Sequence, residues 1–176
     1  QVVSHVMQGY QSTMLQWAKE RPPVTRASAH FTIGRNGRIV QHVPLWTPAW
    51  HVAWETYNEH SIGIEHEGFS VAPSYGYDYL YTLQNPWPEA LIEATIQVHK
   101  MVFDAIQVYD TATKPGESTI ITHSMTGQPD RTQDPGDLWL ATVRPRILAA
   151  FGTLPADLAP VIAARDLLNQ FLEQNK

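Results

Sequence analysis

The sequence predicts an α/β domain in which helices flank a central mixed β-sheet. β-Branched runs and helical patterns follow one another in the order strand, helix, hairpin, strand, helix, strand, helix. An Asn-Gly pair between two of the runs is a strong short-range hairpin signal. With 43% apolar residues, six Trp and seven Tyr, the 176-residue chain is globular and long enough for one well-formed core.

The first strand, a short helix and the hairpin occupy the start of the chain. Residues 2–7 are apolar and β-branched around one polar pair, which predicts a buried strand. Residues 12–20 have helical spacing and are followed by a Pro-Pro pair that ends the helix. The runs at 29–33 and 38–43 flank the Asn-Gly pair and predict the hairpin. Because the first strand begins almost at the first residue without a basic and apolar leader, we expect that a signal or a preceding segment has been removed.

A loop, a strand and another loop form the middle of the chain. Residues 44–54 contain three Trp and two Pro without a regular period, which predicts an ordered surface loop. Residues 61–67 alternate cleanly, so Gly63 and Glu65 share the face opposite the apolar side chains. Residues 70–88 are rich in Tyr, Pro and Gly and predict a long loop.

Helices dominate the rest of the chain. Residues 88–109 carry an apolar stripe that includes His99, which we interpret as structural, and a short strand follows at 119–122. Residues 137–151 predict a helix that is bent or divided near Pro145.

The C-terminal end is predicted as an appendage to the main domain. Residues 156–174 have the spacing of another amphipathic helix. We therefore expect one domain over 1–152 and a C-terminal helical extension over 153–176, packed on the domain or leading away from it.

Composition excludes several classes of partner. The formal net charge of −5, without a Lys/Arg cluster, argues against nucleic acid. No apolar run approaches the length of a membrane span. The chain has no Cys, so a metal site would have to use His, Asp or Glu. We expect a monomer.

One constrained loop has the residue types of a metal site. His123 lies at the end of the last predicted strand, and Asp134 follows eleven residues later, immediately before Pro135-Gly136. Pro129 and Pro135 restrict the backbone, as a metal site built on a loop requires. A His nitrogen and a carboxylate oxygen are ordinary zinc ligands, but at least a third ligand is needed. The residues alone leave it open which of the other histidines supplies it.

Other candidate residues allow two interpretations each. His5 is either a core residue bonded through one nitrogen or a ligand projecting from the strand end, and the first strand alone favours the core. Glu65 either marks a strand leaving the core or carries chemistry, with Gly63 leaving room beside its carboxylate; the strand alone favours the first. The Trp residues of the 44–54 loop either cover the core edge or form the wall of a groove that stacks on sugar rings or peptide.

Five motifs occur together in a characteristic order over residues 2–139: VVSHVM, SAHFTIGRNGRIVQHVP, AWH, SIGIEHEG and ITHSMTGQPDRTQDPG. The combination resembles the N-acetylmuramoyl-L-alanine amidase type 2 family, whose fold peptidoglycan recognition proteins and bacteriophage lysozyme-type amidases share. Each motif alone is weak, and the ordered set is specific.

The resemblance implies a zinc hydrolase. It implies Zn²⁺ held by His5, His123 and Asp134 with a fourth position open, and Glu65 as the catalytic carboxylate. Thr132 stands where some relatives have a Lys that stabilises the oxyanion, as in recognition-protein amidases that use Thr.

Further roles follow from the same motifs, less directly. Thr132 and His51 are candidates to donate a hydrogen bond to the oxyanion. Ala29 replaces a Tyr of some relatives, so that role is not carried over. The expected substrate-binding residues are His51, Trp50 and His30, with Trp46 and the 75–81 loop as further candidates for the groove.

The implied reaction is hydrolysis of the amide bond between N-acetylmuramic acid and L-alanine in peptidoglycan, with Zn²⁺ as the cofactor. The alternative is a non-catalytic peptidoglycan-binding module of the same fold, and the full set of ligand types with Glu65 favours the enzyme. We expect an extracellular or cell-wall-associated protein, either a phage endolysin with antimicrobial action or a secreted bacterial enzyme.

Overall fold

The computed structural model describes residues 1–20, 27–69 and 87–152. Most of the loop predicted at 70–88, the helix predicted at 156–174 and the extension over 153–176 lie outside these residues. In the described part, no helix is both long and apolar enough to cross a membrane.

A five-stranded mixed sheet forms the centre of the domain, as predicted. The order is β3-β2-β4-β1-β5, with β2 and β3 antiparallel and the other neighbours parallel. The Asn-Gly turn joins the antiparallel pair, which confirms the predicted hairpin. The strands are β1 (Val2–Val6), β2 (Phe31–Ile33), β3 (Ile39–Gln41), β4 (Ile62–His66) and β5 (Ile120–Thr122).

Helices connect the strands. The predicted helices at the start and middle of the chain are present, and the middle one begins one residue later than predicted, after Pro88. The predicted division near Pro145 is also found, because a π-helical segment, Trp139–Val143, precedes the helix Arg144–Ala150. One helix was not predicted, α2. The α-helices are α1 (Gln11–Glu20), α2 (Glu55–His60), α3 (Glu89–Gln107) and α4 (Arg144–Ala150), and a 3-10 turn spans His123–Thr126.

The back face of the sheet carries the main core. Alternate residues of β1, β4 and β5 pack there against α3 and α4, as their burial in one apolar cluster shows. His99 of α3 is fully buried and donates from Nδ1 to the Thr95 carbonyl at 2.8 Å, as expected of a structural residue. The principal core residues are Val2, Val6, Phe31, Ile33, Ile62, Ile64, Leu91, Val98, Val102, Phe103, Ile120, Trp139, Val143 and Ile147.

Among the described residues, the front face has little apolar packing. A small cluster of Val3, Val52 and Ile121 lies there, with the partly buried Tyr57 against it. Register places His5 of β1 directly beside Glu65 of β4 in the parallel pair. Since neighbouring residues in register point to the same face, the front face is where polar side chains of β1 and β4 meet.

Candidate metal centre

Three donor atoms converge at the carboxyl ends of β1 and β5. His5 Nδ1 lies 2.9 Å from His123 Nδ1 and 3.6 Å from Asp134 Oδ2, and His123 Nδ1 lies 2.9 Å from the same oxygen. Ligands around a tetrahedral zinc ion are about 3.3 Å apart, given bond lengths of about 2.0–2.2 Å. All three residues are buried. The separations therefore fit one small ion held by two imidazoles and one carboxylate.

The loop that carries Asp134 is fixed to two strands. Asp134 Oδ1 accepts a hydrogen bond from the Val6 amide at 2.8 Å, while its carbonyl accepts one from Ser124 N at 2.8 Å. The first bond ties the loop to β1 and the second ties it to the turn after β5. Oδ2 is thereby directed at the two histidines, which is the arrangement that the constrained loop predicts.

Electrostatics favour the ligand form of these groups. Burial alone would raise the pKa of Asp134, but its contacts with the imidazoles of His123 and His5 outweigh burial and hold that pKa below its ordinary value. Burial lowers the pKa of His5, against the opposing charge of Asp134. A carboxylate and a neutral imidazole at neutral pH are the forms that bind a metal ion.

Glu65 lies beside this group with an unused oxygen. Among the residues that the structure describes, its buried Oε2 has no hydrogen-bond partner, although part of the side chain is accessible to solvent. Burial raises the pKa of Glu65 to about 8, with a further increase from the charge of Asp134 and a decrease from Arg131. A buried carboxyl oxygen without a partner is a strained arrangement that a cation or a reacting water would relieve.

A second residue contacts the Nε2 atom of each histidine, the ring nitrogen that does not face the metal centre. His5 Nε2 lies 2.9 Å from Nδ1 of His51, and His123 Nε2 lies 2.7 Å from Oε1 of Gln128. Burial lowers the pKa of His51 to about 2, assisted by the nearby His5 and His30. A Cβ at Gly63 would lie 2.6 Å from the His51 ring carbon Cδ2, so the room left by this glycine is filled by His51.

The residues predicted to bind substrate lie in two kinds of environment. His30 is fully buried, and its ring accepts from the Gly63 amide and donates to the Thr47 carbonyl, each at 3.0 Å. His51 is buried as well. Trp50 is 51% exposed and able to stack on a ligand. The substrate-binding roles of all three stay predictions.

The Trp-containing loop does not cover the core edge with its aromatic rings. Trp46, Trp50 and Trp54 are each half or more exposed, whereas Ala49 and Val52 are the apolar residues that the loop buries. Thr132 is exposed on the loop two residues before Asp134, and its predicted role at the oxyanion also stays a prediction.

Three residues around the site were missed from the sequence. Gln128 contacts His123, Ser61 contacts His51, and Asn58 holds the backbone at His51. Gln128 follows His123 by five residues in the same constrained loop, which is the one available signal. Nothing in the sequence pattern points to Ser61 or Asn58, because their contacts depend on how the 44–61 segment returns to the sheet.

Comparison with known proteins agrees with this geometry. A family model described as N-acetylmuramoyl-L-alanine amidase matches residues 1–137 of the 176. The chain belongs to this family. The 1,6-anhydro-N-acetylmuramyl-L-alanine amidase AmpD of Citrobacter freundii is 49% identical over 49 residues, which are 24% of this chain and 26% of AmpD. The match thus spans about a quarter of the length of this curated relative.

Solved amidase structures share the fold. The Escherichia coli N-acetylmuramyl-L-alanine amidase AmiD, in complex with the substrate anhydro-N-acetylmuramic acid-L-Ala-D-γ-Glu-L-Lys, is similar with a TM-score of 0.59 and 26% identity, over 88% of this chain and 57% of AmiD. AmpDh3 from Pseudomonas aeruginosa has a TM-score of 0.58 and 19% identity, over 88% of this chain and 59% of AmpDh3. These likenesses confirm the fold expected of the amidase family.

Proposed function

We propose that this protein is a zinc-dependent N-acetylmuramoyl-L-alanine amidase that hydrolyses the bond between N-acetylmuramic acid and L-alanine in peptidoglycan. The observation that carries the proposal is the convergence of His5, His123 and Asp134 with Glu65 alongside. Membership of the amidase family supports the reaction type. The likeness to AmiD, which is solved with a muropeptide substrate, supports the substrate class.

The donor set matches the chemistry of zinc. Two imidazole nitrogens and one carboxylate oxygen are a usual catalytic zinc set, with net charge of about +1 and one position left for water or substrate. His5, His123 and Asp134 would hold the ion through the three atoms that already face one another. When bound, the ion would supply a Lewis acid that polarises the amide carbonyl and lowers the pKa of an attacking water towards about 7.

Glu65 would move the proton. In the ion-free protein, with a pKa raised to about 8, its carboxyl group is mostly protonated at neutral pH. With an ion held by His5, His123 and Asp134, Glu65 would be the carboxylate instead, because a nearby positive charge lowers the pKa of a carboxyl group. Oε2, which is free of protein partners among the described residues, would accept a proton from water as the water oxygen bonds to the amide carbonyl carbon. It would then pass that proton to the leaving nitrogen of L-alanine as the C–N bond breaks.

Residues around the metal centre have proposed roles in binding the substrate and the developing charge. The Thr132 hydroxyl is proposed to donate to the oxygen on which negative charge develops. The exposed Trp50 ring is proposed to stack on the sugar or the peptide, while His30 and His51 are proposed to shape the floor of the site. Since peptidoglycan lies outside the cytoplasmic membrane, we also propose an extracellular or cell-wall location, with a phage endolysin as one case.

The decisive experiment is release of new L-alanine amino termini from purified peptidoglycan. We expect release by the purified protein, loss of release on adding a chelator, and recovery when zinc is restored. Tight binding to the same peptidoglycan without release would instead indicate the non-catalytic recognition module.

A pair of matched variants tests whether Glu65 itself is the base, by comparison with the acidic residue two positions further along the chain. Glu65→Gln is expected to keep zinc and lose most turnover, because it removes the proton acceptor and no ligand. Glu67→Gln is the control, since the Glu67 carboxylate accepts hydrogen bonds from the amides of Gln11 and Arg35. Unchanged turnover in Glu65→Gln would exclude Glu65 as the base.

A further inference from the structure

We propose that His51 and Gln128 are positioning residues for the two metal-binding histidines. Each accepts the proton on Nε2 of one of these histidines, so that the Nδ1 atom is left for the ion. Each is itself oriented by contacts that lead back to a backbone group of the 51–61 segment. The inference rests on the proposed metal centre and deepens it. It leaves the proposed roles of Glu65 and Thr132 unchanged. Because both ring nitrogens of His51 are engaged, it replaces the expected hydrogen bond from His51 to the oxyanion.

The first line of contacts starts from a carbonyl that can only accept. The Tyr57 carbonyl lies 2.5 Å from Ser61 Oγ, so Ser61 donates its single hydroxyl hydrogen there. Ser61 Oγ lies 3.3 Å from His51 Nε2 and is left as an acceptor, so His51 donates from Nε2. The neutral His51 ring then has an accepting Nδ1, which takes the proton of His5 Nε2 at 2.9 Å. His5 is left with a bare Nδ1 facing the metal centre.

The second line starts from an amide that can only donate. Ala53 N donates to Oε1 of Gln128 at 3.2 Å, and Gln128 Nε2 donates to Asp130 Oδ1 at 2.8 Å. These two contacts fix which end of the Gln128 amide is oxygen. The same oxygen lies 2.7 Å from His123 Nε2, so His123 must donate from that nitrogen. His123 Nδ1 is therefore also bare and faces the metal centre.

Both lines depend on one short segment that is itself rigidly held. The Asn58 Oδ1 atom accepts from the amides of His51 and Val52 at 3.0 Å, and its Nδ2 donates to the Val52 carbonyl at 2.8 Å. Asn58 is almost fully buried. Gly63 leaves the space in which the His51 ring lies. The segment is thus anchored at its start, and its Ala53 amide and Tyr57 carbonyl are placed as fixed reference points.

The physical consequence is preorganisation of the ligand set. A neutral imidazole offers a metal only its unprotonated nitrogen, so a tautomer fixed in advance removes a rearrangement from the binding step. Partners that accept from the other ring nitrogen also increase the basicity of the ligand, and their loss typically costs about 10- to 100-fold in metal affinity.

The test measures zinc directly on purified protein, by competition with a chromophoric chelator, and identifies the bound ring nitrogen by long-range ¹H–¹⁵N NMR of the zinc-loaded protein. His51→Leu and Gln128→Met each remove one acceptor, and Ser61→Ala removes the group that orients His51. Gln128→Glu restores an oxygen acceptor at the same place and serves as the rescue. His60→Asn is the control, because His60 is an exposed histidine of the same segment whose ring donates from Nδ1 to the Thr56 carbonyl of α2.

We expect wild type to show zinc on Nδ1 and a proton on Nε2 of both ligand histidines. His51→Leu and Gln128→Met should weaken zinc binding by about 10- to 100-fold. Ser61→Ala should weaken it by about fivefold, the effect of one neutral hydrogen bond. Gln128→Glu should bind much more tightly than Gln128→Met, and the His60→Asn control should match wild type.

Two negative results have different meanings. Wild-type protein that fails to bind zinc would refute the metal centre and with it the proposed function. Wild type that binds zinc while His51→Leu, Ser61→Ala and Gln128→Met bind it equally well, with unchanged NMR signatures, would refute this inference alone. Because Ser61→Ala and Gln128→Met remove no buried ring, they decide the question even if His51→Leu does not fold.

Discussion

Replacement of Glu65 by Gln should stabilise the ion-free protein at neutral pH, although the same change is expected to remove most turnover. The pKa of Glu65 is raised from its ordinary 4.5 to about 8 in the folded state. The folded protein therefore binds a proton more tightly than the unfolded chain, and its stability falls as pH rises through the interval between the two values. A glutamine does not titrate, so the variant escapes this loss.

The size of the effect follows from one unit of pKa being worth about 1.4 kcal/mol. At pH 7 the penalty on wild type is up to about 3 kcal/mol, and at pH 5 it is below about 1 kcal/mol. Part of the Glu65 side chain is accessible to solvent, which reduces the penalty. We therefore expect the free energy of unfolding of the variant, relative to wild type, to rise by about 2 kcal/mol from pH 5 to pH 7. The comparison between variant and wild type cancels the contributions of the other titrating groups.

The assay is urea unfolding followed by tryptophan fluorescence, at several pH values between 5 and 8, with a chelator present. The free energy of unfolding of Glu65→Gln minus that of wild type should rise with pH. Added zinc should reduce the difference at pH 7, because a bound cation stabilises the Glu65 carboxylate that glutamine lacks. A difference that does not change with pH would refute the argument that Glu65 is held protonated by its surroundings.

Three further substitutions test the construction of the site. Asp134→Ala should lose zinc and turnover together, because two ligands bind zinc poorly; full zinc content in that variant would contradict the ligand assignment. Gly63→Ala should displace the His51 ring, with a loss of about 1–3 kcal/mol in unfolding free energy and weaker zinc binding, and an unaffected protein would show that the ring can move aside freely. Asn58→Ala removes three buried hydrogen bonds to the backbone at His51 and Val52 and should cost about 2–4 kcal/mol in urea unfolding; a cost below about 0.5 kcal/mol would mean that the segment does not depend on them.

The features that were predicted correctly depend on local patterns in the sequence. Alternation along 61–67 separated Gly63 and Glu65 from the apolar face, and β4 has that arrangement because its back face packs on α3. The loop whose backbone is restricted by Pro129 and Pro135 does bring Asp134 to His123. The place of His5 needed more than its own strand, where burial alone favoured a core residue, and it came from the family resemblance.

The features that were missed depend on contacts between distant segments. α2 was not predicted because its six residues, ETYNEH, are mostly polar and too short to show a period. The position of His51 is set by the space at Gly63 on another strand, which no pattern within 44–54 encodes. Gln128 acts through an amide orientation that depends on Ala53, a residue 75 positions away.

The two faces of the sheet explain why the metal centre depends on a polar network. In the part of the chain that the structure describes, the back face packs a large apolar cluster, whereas the cluster on the front face has few apolar side chains, among them Val3 and Ile121. Packing therefore contributes little to holding the ligands, and hydrogen bonds worth about 1 kcal/mol each must do so. Such a site is expected to be less stable than the back-face core in the ion-free protein, since local stability follows buried apolar contacts. Ion binding at the proposed metal centre would then stabilise the folded form by mass action, so the network proposed to orient His5 and His123 would also determine how strongly the metal is coupled to the fold.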